Sequence, residues 1–158
     1  MKGKTNAMRI LDKAGLTYEA YAYDSADGKI DGVSVAEKIA KNTDSVFKTL
    51  VTIGADKQIY VFVIPVTEEL DLKKAAKAAG AKKLDMIAVK DIQKYTGYIR
   101  GGCSPIGMKK LYPTFLDSRT ISRENMIVSA GKIGQQIELK TVDLIAVTNA
   151  VTEHEIMK

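Results

Sequence analysis

The chain has 158 residues, of which 46% are hydrophobic and 27% charged, and this mixture is typical of one folded domain spanning residues 1–158. The apolar runs fall well short of the roughly 20 residues that a membrane helix needs, and no signal-peptide core follows the basic N-terminus, so we expect a cytoplasmic protein without a membrane partner. Cys103 is the only cysteine and His154 the only histidine, which excludes an internal disulfide and a Cys/His zinc cluster. A Ser-His-Asp mechanism would have to recruit its histidine from the C-terminal tail.

The formal charge is +5 and the sequence pI is near 9.2. A positive excess suits a polyanionic partner, because each phosphate contact releases counterions. The simpler alternative is a solvated, lysine-rich surface. Charge alone leaves both interpretations open.

The first third of the chain predicts two helices around one strand. A helix is expected over 5–14 and a strand over 18–23, followed by a polar loop over 24–32. Ser34 then opens a second helix, because Glu37 follows it at the spacing of a capping box.

The middle of the chain predicts a hairpin and a helix. The runs 46–53 and 59–66 are apolar and β-prone, so we expect paired strands. Asp71 caps a helix that continues to Ala79 and ends at Gly80.

The last part of the chain predicts a short helix over 88–95, a loop over 100–107 and a final helix over 142–148 capped by Thr141. Three short strands are expected between the loop and the final helix, at 114–116, 125–129 and 136–139. Helices interspersed among hairpin-like strands favour an α+β fold with a mixed, largely antiparallel sheet.

Two polar residues on predicted strands are candidate ligands. Strand side chains alternate, so Phe47 and Lys48 face opposite ways, and Lys48 interrupts an apolar pattern. It is either an anion ligand in a cleft or an ordinary outward-facing lysine. Ser129 ends another strand and either donates to a substrate carbonyl or phosphate, or completes its own turn.

The loop that begins at Arg100 contains the adjacent glycines Gly101 and Gly102. Such a pair lets the backbone approach a ligand closely, and its N–H groups can form an anion-binding nest or an oxyanion hole. A plain tight turn is the alternative. Cys103 is a weak candidate nucleophile, because no histidine is near it in sequence.

Short motifs between residues 4 and 145 coincide with one family. They are Lys4-Thr5-Asn6-Ala7, Phe47-Lys48-Thr49-Leu50, Leu70-Asp71-Leu72-Lys73-Lys74-Ala75-Ala76-Lys77, Gly97-Tyr98, Gly101-Gly102-Cys103-Ser104-Pro105-Ile106-Gly107, Val128-Ser129-Ala130-Gly131 and Asp143-Leu144. With these motifs the sequence resembles the YbaK/EbsC proteins, relatives of the editing domain inserted in bacterial prolyl-tRNA synthetases. It departs from some relatives at Asp31, where they place an aromatic residue before the glycine.

The resemblance implies a single domain whose mixed sheet forms an open barrel flanked by helices. It implies a deacylase that acts on Cys-tRNA(Pro), with prolyl-tRNA synthetase as a candidate partner and neither a cofactor nor DNA. By position, Lys48 matches the functional lysine, and the glycine-rich loop supplies backbone donors. The expected site residues are Lys48, Gly101 and Gly102 for catalysis, and Tyr23, Thr49, Arg100, Ser104, Ser129 and Asp143 for substrate binding.

The implied chemistry needs no histidine, because the thiol of the substrate cysteine can attack its own ester carbonyl. A first alternative is a deacylase of Ala-tRNA or of another small amino acid, which activates water with backbone groups or Asp143. A second is a tRNA-binding or synthetase-binding module without catalysis. A thiol enzyme that uses Cys103 is a more remote alternative.

Overall fold

The computed structural model describes residues 3–158, which form five α-helices and seven β-strands. The helices are α1 (Asn6–Lys13), α2 (Gly32–Lys38), α3 (Leu72–Ala79), α4 (Ile92–Thr96) and α5 (Thr141–Thr148). The strands are β1 (Glu19–Ala22), β2 (Phe47–Gly54), β3 (Ile59–Pro65), β4 (Leu84–Met86), β5 (Thr114–Leu116), β6 (Asn125–Ser129) and β7 (Gln135–Lys140). Within the described range no helix is long and apolar enough to cross a bilayer.

The strands form two sheets that meet at one seam. The order is β1-β7-β6 in the smaller sheet and β4-β2-β3-β5 in the larger. All strand pairs are antiparallel except β3 with β5. A parallel bridge joins Val46, which directly precedes β2, to Ile127 in β6. The expected α+β domain with a mixed, largely antiparallel sheet is confirmed.

Strand β3 is buried on both faces, which explains its uninterrupted apolar sequence. Val61 and Val63 pack into the main core, together with α1 and strands β6 and β7. Phe62 faces the other way into a second cluster beneath α3, where its ring stacks on Phe115 with centroids 5.0 Å apart. Each fully buried side chain of this size stabilises the fold by about 1.5–3 kcal/mol.

The predicted central hairpin and the helix after it are confirmed. Strands β2 and β3 pair antiparallel, so that Lys48 lies opposite Ile64. The Asp71 carboxylate accepts hydrogen bonds from the first backbone N–H groups of α3. Gly80 ends the helix in the left-handed conformation, with φ +71°.

The predicted start of the second helix is wrong by a few residues. Asp31, not Ser34, is the N-cap of α2. Its carboxylate accepts from the Ser34 N–H at 3.1 Å and from the Ser34 hydroxyl at 2.7 Å. An aspartate preceding the helix outcompetes the serine because its carboxylate accepts both bonds.

The C-terminal helix also begins differently from the prediction. Thr141 is the first residue of α5 rather than its cap, and its hydroxyl is buried without a hydrogen-bond partner among residues 3–158. The predicted helix over 88–95 is a 3-10 turn (Val89–Asp91) followed by α4. Strand β4 was not predicted, because three residues at a sheet edge carry too little periodic pattern to be seen in the sequence.

Candidate functional site

A cavity of about 540 Å³ lies beside the seam between the two sheets. Four segments build its wall: the loop before α2, the start of β2, the glycine-rich loop, and the facing strands β6 and β7. The lining residues are Gly28, Ile30, Asp31, Gly32, Val35, Val46, Phe47, Lys48, Thr49, Val66, Arg100, Gly101, Cys103, Ser129 and Gln136. The cavity therefore gathers residues that are up to 108 positions apart in the chain.

Lys48 lies in the cavity wall, as its interpretation as a cleft lysine requires. Its side chain is half-buried. It follows the buried residue Phe47 and precedes Thr49, whose buried hydroxyl has no hydrogen-bond partner in residues 3–158. Burial lowers the pKa of its ammonium group, and the charges of Glu69 and Glu68 act in the opposite direction. It forms no ion pair with any carboxylate in residues 3–158. A half-buried cation without an ion-pair partner in the described chain is suited to bind an anionic ligand or to stabilise developing negative charge.

Gly101 and Gly102 have different roles, which corrects the prediction of a paired oxyanion hole. Gly101 lines the cavity with φ +85°, and a Cβ there would lie 2.7 Å from the Ile30 Cδ1 atom. The Gly102 N–H donates to the Ile99 carbonyl at 3.0 Å, so it has no capacity left for a substrate. A Cβ on Gly102 would lie 2.9 Å from the Ile133 nitrogen, so this glycine permits a close approach of two backbones.

Ser104 supports the loop from within and does not line the cavity. Its side chain is fully buried, and its hydroxyl oxygen accepts from the Ile106 N–H at 3.2 Å. The Tyr98 hydroxyl donates to the Ile106 carbonyl at 2.6 Å and fixes the same turn. Ser104 was expected to bind substrate, but its hydroxyl contacts the Ile106 backbone and so stabilises the loop.

Ser129 and Gln136 lie opposite each other on β6 and β7, and both line the cavity. The Ser129 oxygen accepts from the Gly131 N–H at 3.2 Å, which leaves its hydroxyl proton free to donate. Gln136 is only 5% exposed, and its carbonyl oxygen has no hydrogen-bond partner within the described chain. The Thr49 hydroxyl is orphaned in the same way. Buried polar atoms without partners are costly, so both are positioned to bind a ligand.

Gln136 is the site residue that the sequence did not reveal. Its position next to Ser129 depends on the register of β6 against β7, and a single strand does not disclose that register. The local pattern gives no signal for it, because strand alternation places Gln136 on the face opposite Ile137 and Leu139, where a polar residue is expected to be exposed.

Of the three remaining predicted residues, only Arg100 lines the cavity. Arg100 is exposed at the cavity mouth. Tyr23 and Asp143 are not among the lining residues. Tyr23 is buried, its hydroxyl lacks a partner, and its N–H donates to the Gly134 carbonyl at 2.9 Å. Asp143 is in the first turn of α5, where its negative charge interacts favourably with the helix dipole.

Cys103 lines the cavity but is unsuited to act as a nucleophile. Burial raises the pKa of its thiol to about 11, and a hydrogen bond involving Thr96 opposes this shift only in part. The group is therefore protonated at neutral pH, whereas attack requires the thiolate.

The sequence and the fold agree with known proteins. Residues 31–147 match the family model of the aminoacyl-tRNA editing domain. The chain belongs to this family of aminoacyl-tRNA editing domains.

Among individual relatives, a protein of Enterococcus faecalis (strain ATCC 700802 / V583) is 47% identical over 146 residues, which are 92% of this chain and 89% of that one. Its name, EbsC, carries a provisional assignment as a Cys-tRNA(Pro)/Cys-tRNA(Cys) deacylase. A crystal structure described as a provisional trans-editing enzyme for prolyl-tRNA synthetase shares the fold, with a TM-score of 0.85, 20% identity and 99% of each chain covered. A hypothetical protein of known structure also has a TM-score of 0.85, at 18% identity, with coverage of 98% of this chain and 100% of the other.

Proposed function

We propose that this chain is a deacylase that removes cysteine wrongly attached to tRNA(Pro). The observation that carries the proposal is the cavity wall, where the cation Lys48, the free N–H of Gly101 and the orphaned polar atoms of Thr49 and Gln136 meet. Membership in the editing family and the name of the Enterococcus relative support the same activity. Acting on tRNA during translation would place the protein in the cytoplasm.

The aminoacyl ester binds with its carbonyl near Gly101 in this proposal. The Gly101 N–H donates to no group in residues 3–158, so it is available to the oxyanion that forms on the carbonyl. Lys48 stabilises the same negative charge or the terminal phosphate. The carbonyl oxygen of Gln136 accepts a hydrogen bond from the α-amino group of the amino acid, and Ser129 donates to the ester or to the ribose.

The substrate supplies the nucleophile. Its sulfur forms a bond to the carbonyl carbon, the bond from that carbon to the ribose oxygen breaks, and the thiol proton passes to the departing ribose oxygen. The product is a cyclic thioester of cysteine, which water then opens. Intramolecular attack by an oriented group is strongly favoured over the intermolecular reaction, so the cavity needs no base of its own.

This mechanism also explains discrimination. Proline has no thiol and survives even when it enters the cavity. Serine has a far weaker nucleophile at neutral pH. Selection by reactivity avoids the limit of about 10- to 200-fold that a methylene-sized difference gives in an apolar pocket.

The proposal is tested by incubating the protein with Cys-tRNA(Pro), Ala-tRNA(Pro) and Pro-tRNA(Pro) in parallel and measuring the amino acid released. We expect rapid loss of cysteine alone. Release of alanine would favour the water-activating alternative, although Asp143, its expected water ligand, does not line the cavity. Absence of release from all three substrates would support a binding module instead.

We further propose prolyl-tRNA synthetase as a partner, supported by the description of the solved structural neighbour. A ternary complex that forms only in the presence of tRNA(Pro) is the expected result in size-exclusion chromatography. If added prolyl-tRNA synthetase changes neither the affinity for tRNA(Pro) nor the deacylation rate, this partnership is contradicted.

A further inference from the structure

Five exposed cations lie on the glycine-rich loop at the cavity mouth and on the segments that adjoin or contact this loop. This mouth surface consists of Lys94, Arg100, Lys109, Lys110 and Lys132, and each is exposed. Residues 92–116 contribute the first four and contain no aspartate or glutamate. None of the five forms an ion pair with a carboxylate of the described residues 3–158.

Contacts between the two segments that flank the glycine-rich loop hold Lys94 and Lys109 near each other. The Lys109 ammonium donates to the Lys94 carbonyl at 3.2 Å, and its backbone N–H donates to the Thr96 carbonyl at 3.1 Å. A Cβ on Gly97 would lie 3.4 Å from the Lys109 side chain. The chain runs from α4 to Arg100, which lines the cavity, so Lys94 and Lys109 lie on segments next to the mouth.

Lys132 joins the surface from the other side of the loop. A Cβ on Gly102 would lie 3.3 Å from the Lys132 Cα atom, so the two backbones are in contact. Lys132 also follows the cavity residue Ser129 by only three positions. The positive charge thus reaches the mouth from both sides of the glycine-rich loop.

Several cations elsewhere in the described chain are neutralised by carboxylates, unlike those of the mouth surface. Lys38 donates to Asp27 at 2.8 Å, and Arg119 donates to Asp117 at 2.8 Å. Unpaired cations without intervening carboxylates create a positive potential that attracts phosphates.

We propose that the mouth surface binds the phosphate backbone of the tRNA acceptor stem while the aminoacylated 3′ end occupies the cavity. This inference rests on the proposed function, since an aminoacyl end in the cavity places the preceding nucleotides at the mouth. Recognition is electrostatic and independent of base sequence, so it supplies affinity rather than a choice among tRNAs.

The test compares two pairs of exposed lysines changed to glutamine. The first variant is Lys94→Gln/Lys110→Gln, which leaves the anchoring Lys109 intact. The matched control is Lys82→Gln/Lys83→Gln. These lysines precede β4, whose Leu84 pairs with Gly54 at the far end of β2, about 20 Å along the strand from Lys48.

We expect the first variant to raise the Kd for uncharged tRNA(Pro) about tenfold, and to reduce the slope of log Kd against log salt by about 0.7–0.9 for each lost contact. The enzyme concentration for half-maximal cysteine release should rise equally, with an unchanged maximal rate. The control variant should equal the wild type. Release from 3′-O-cysteinyl-adenosine, which lacks the stem, should be the same in all three proteins.

Equal tRNA affinity in the first variant and the wild type would overturn the proposal, as would equal losses in both variants. An effect seen only with prolyl-tRNA synthetase present would assign the surface to a protein partner and overturn it as well. If the proposed function is wrong, the wild type will release cysteine from neither Cys-tRNA(Pro) nor 3′-O-cysteinyl-adenosine. The affinity for uncharged tRNA(Pro) still decides, in that case, whether the mouth surface binds tRNA.

Discussion

At the scale of single residues, Lys48 is the side chain on which the proposed chemistry depends most. Lys48→Ala should lower the rate of cysteine release by roughly 100- to 1,000-fold, as expected when a group that stabilises an oxyanion is removed. The melting temperature should stay the same or rise slightly, because the lost group is a half-buried cation without an ion-pair partner in the described chain. Lys77→Ala, an exposed lysine on α3, is the control that should change neither quantity. Wild-type activity in Lys48→Ala would remove this lysine from the mechanism.

Substitution of Gln136 should lower activity without lowering stability. Its carbonyl oxygen is buried and orphaned, so Gln136→Leu should leave the free energy of unfolding unchanged or raise it by up to about 1 kcal/mol. Cysteine release should nevertheless fall, because the ligand of the α-amino group is lost. Urea unfolding and single-turnover deacylation measure the two effects.

Thr141 provides the matched control for Gln136. Its hydroxyl is equally buried and orphaned, but it lies in α5 and does not line the cavity. Thr141→Val should therefore match Gln136→Leu in stability and keep full activity. Equal activity in the two variants would show that the Gln136 amide does not bind substrate.

At the scale of elements, the glycine-rich loop shapes the cavity through Gly101. Gly101→Ala should cost about 1 kcal/mol of stability from its positive φ, and the contact with Ile30 adds to this cost. Gly80→Ala should cost about 1 kcal/mol from φ alone, since its φ is +71° and its surroundings are open. Only Gly101→Ala should lose deacylation activity, because its methyl group collides with Ile30. Adding Ile30→Ala should restore part of the activity, and a double variant no better than Gly101→Ala would contradict this steric account.

The elements that the sequence predicted correctly are those with strong local signals. The β2–β3 hairpin has two long apolar runs, and α3 has Asp71 before it and Gly80 after it, so both are set by neighbouring residues. Helix starts were wrong where two capping residues compete, as at Asp31 and Ser34. Strand β4 was missed because its pairing with β2 is a tertiary contact.

The candidate site was predictable only in part for the same reason. Lys48 and Gly101 were found by pattern and resemblance, and both line the cavity. Gln136 required the register of two strands. The engagement of Gly102 by Ile99 required the conformation of the loop, which two adjacent glycines leave undetermined.

At the scale of the whole molecule, the buried carboxylate of Asp117 anchors the C-terminal segment. It accepts hydrogen bonds from the Arg119 side chain and from the backbone N–H groups of Ile156 and Met157. Burial alone would raise its pKa, but these bonds outweigh burial and hold the pKa well below its usual range. Asp117→Asn should destabilise the protein by about 3 kcal/mol at pH 7, since it leaves several donors poorly matched.

The pH dependence of that loss follows from the lowered pKa. The stabilising contribution is complete above the unfolded-state pKa near 3.9, and it disappears as the pH falls from there toward the lower folded-state value. The free energies of unfolding of the wild type and Asp117→Asn, measured with urea, should therefore differ by a constant amount from about pH 5 to 7. The difference should begin to shrink as the pH falls below about 4. The control Glu155→Gln, at a half-exposed partner of Arg119, should cost less than about 0.5 kcal/mol. A difference between the wild type and Asp117→Asn that does not shrink below about pH 4 would contradict this role of Asp117.

The most direct test of the central claim is the product of a single turnover on Cys-tRNA(Pro), identified by mass and compared with S-methylcysteinyl-tRNA(Pro). If the substrate thiol is the nucleophile, the first substrate yields a cyclic thioester of cysteine or its hydrolysis product at a high rate, and the thiol-blocked substrate is released no faster than without protein. Equal rates for the two substrates would show that the protein activates water and would contradict the mechanism proposed for this cavity.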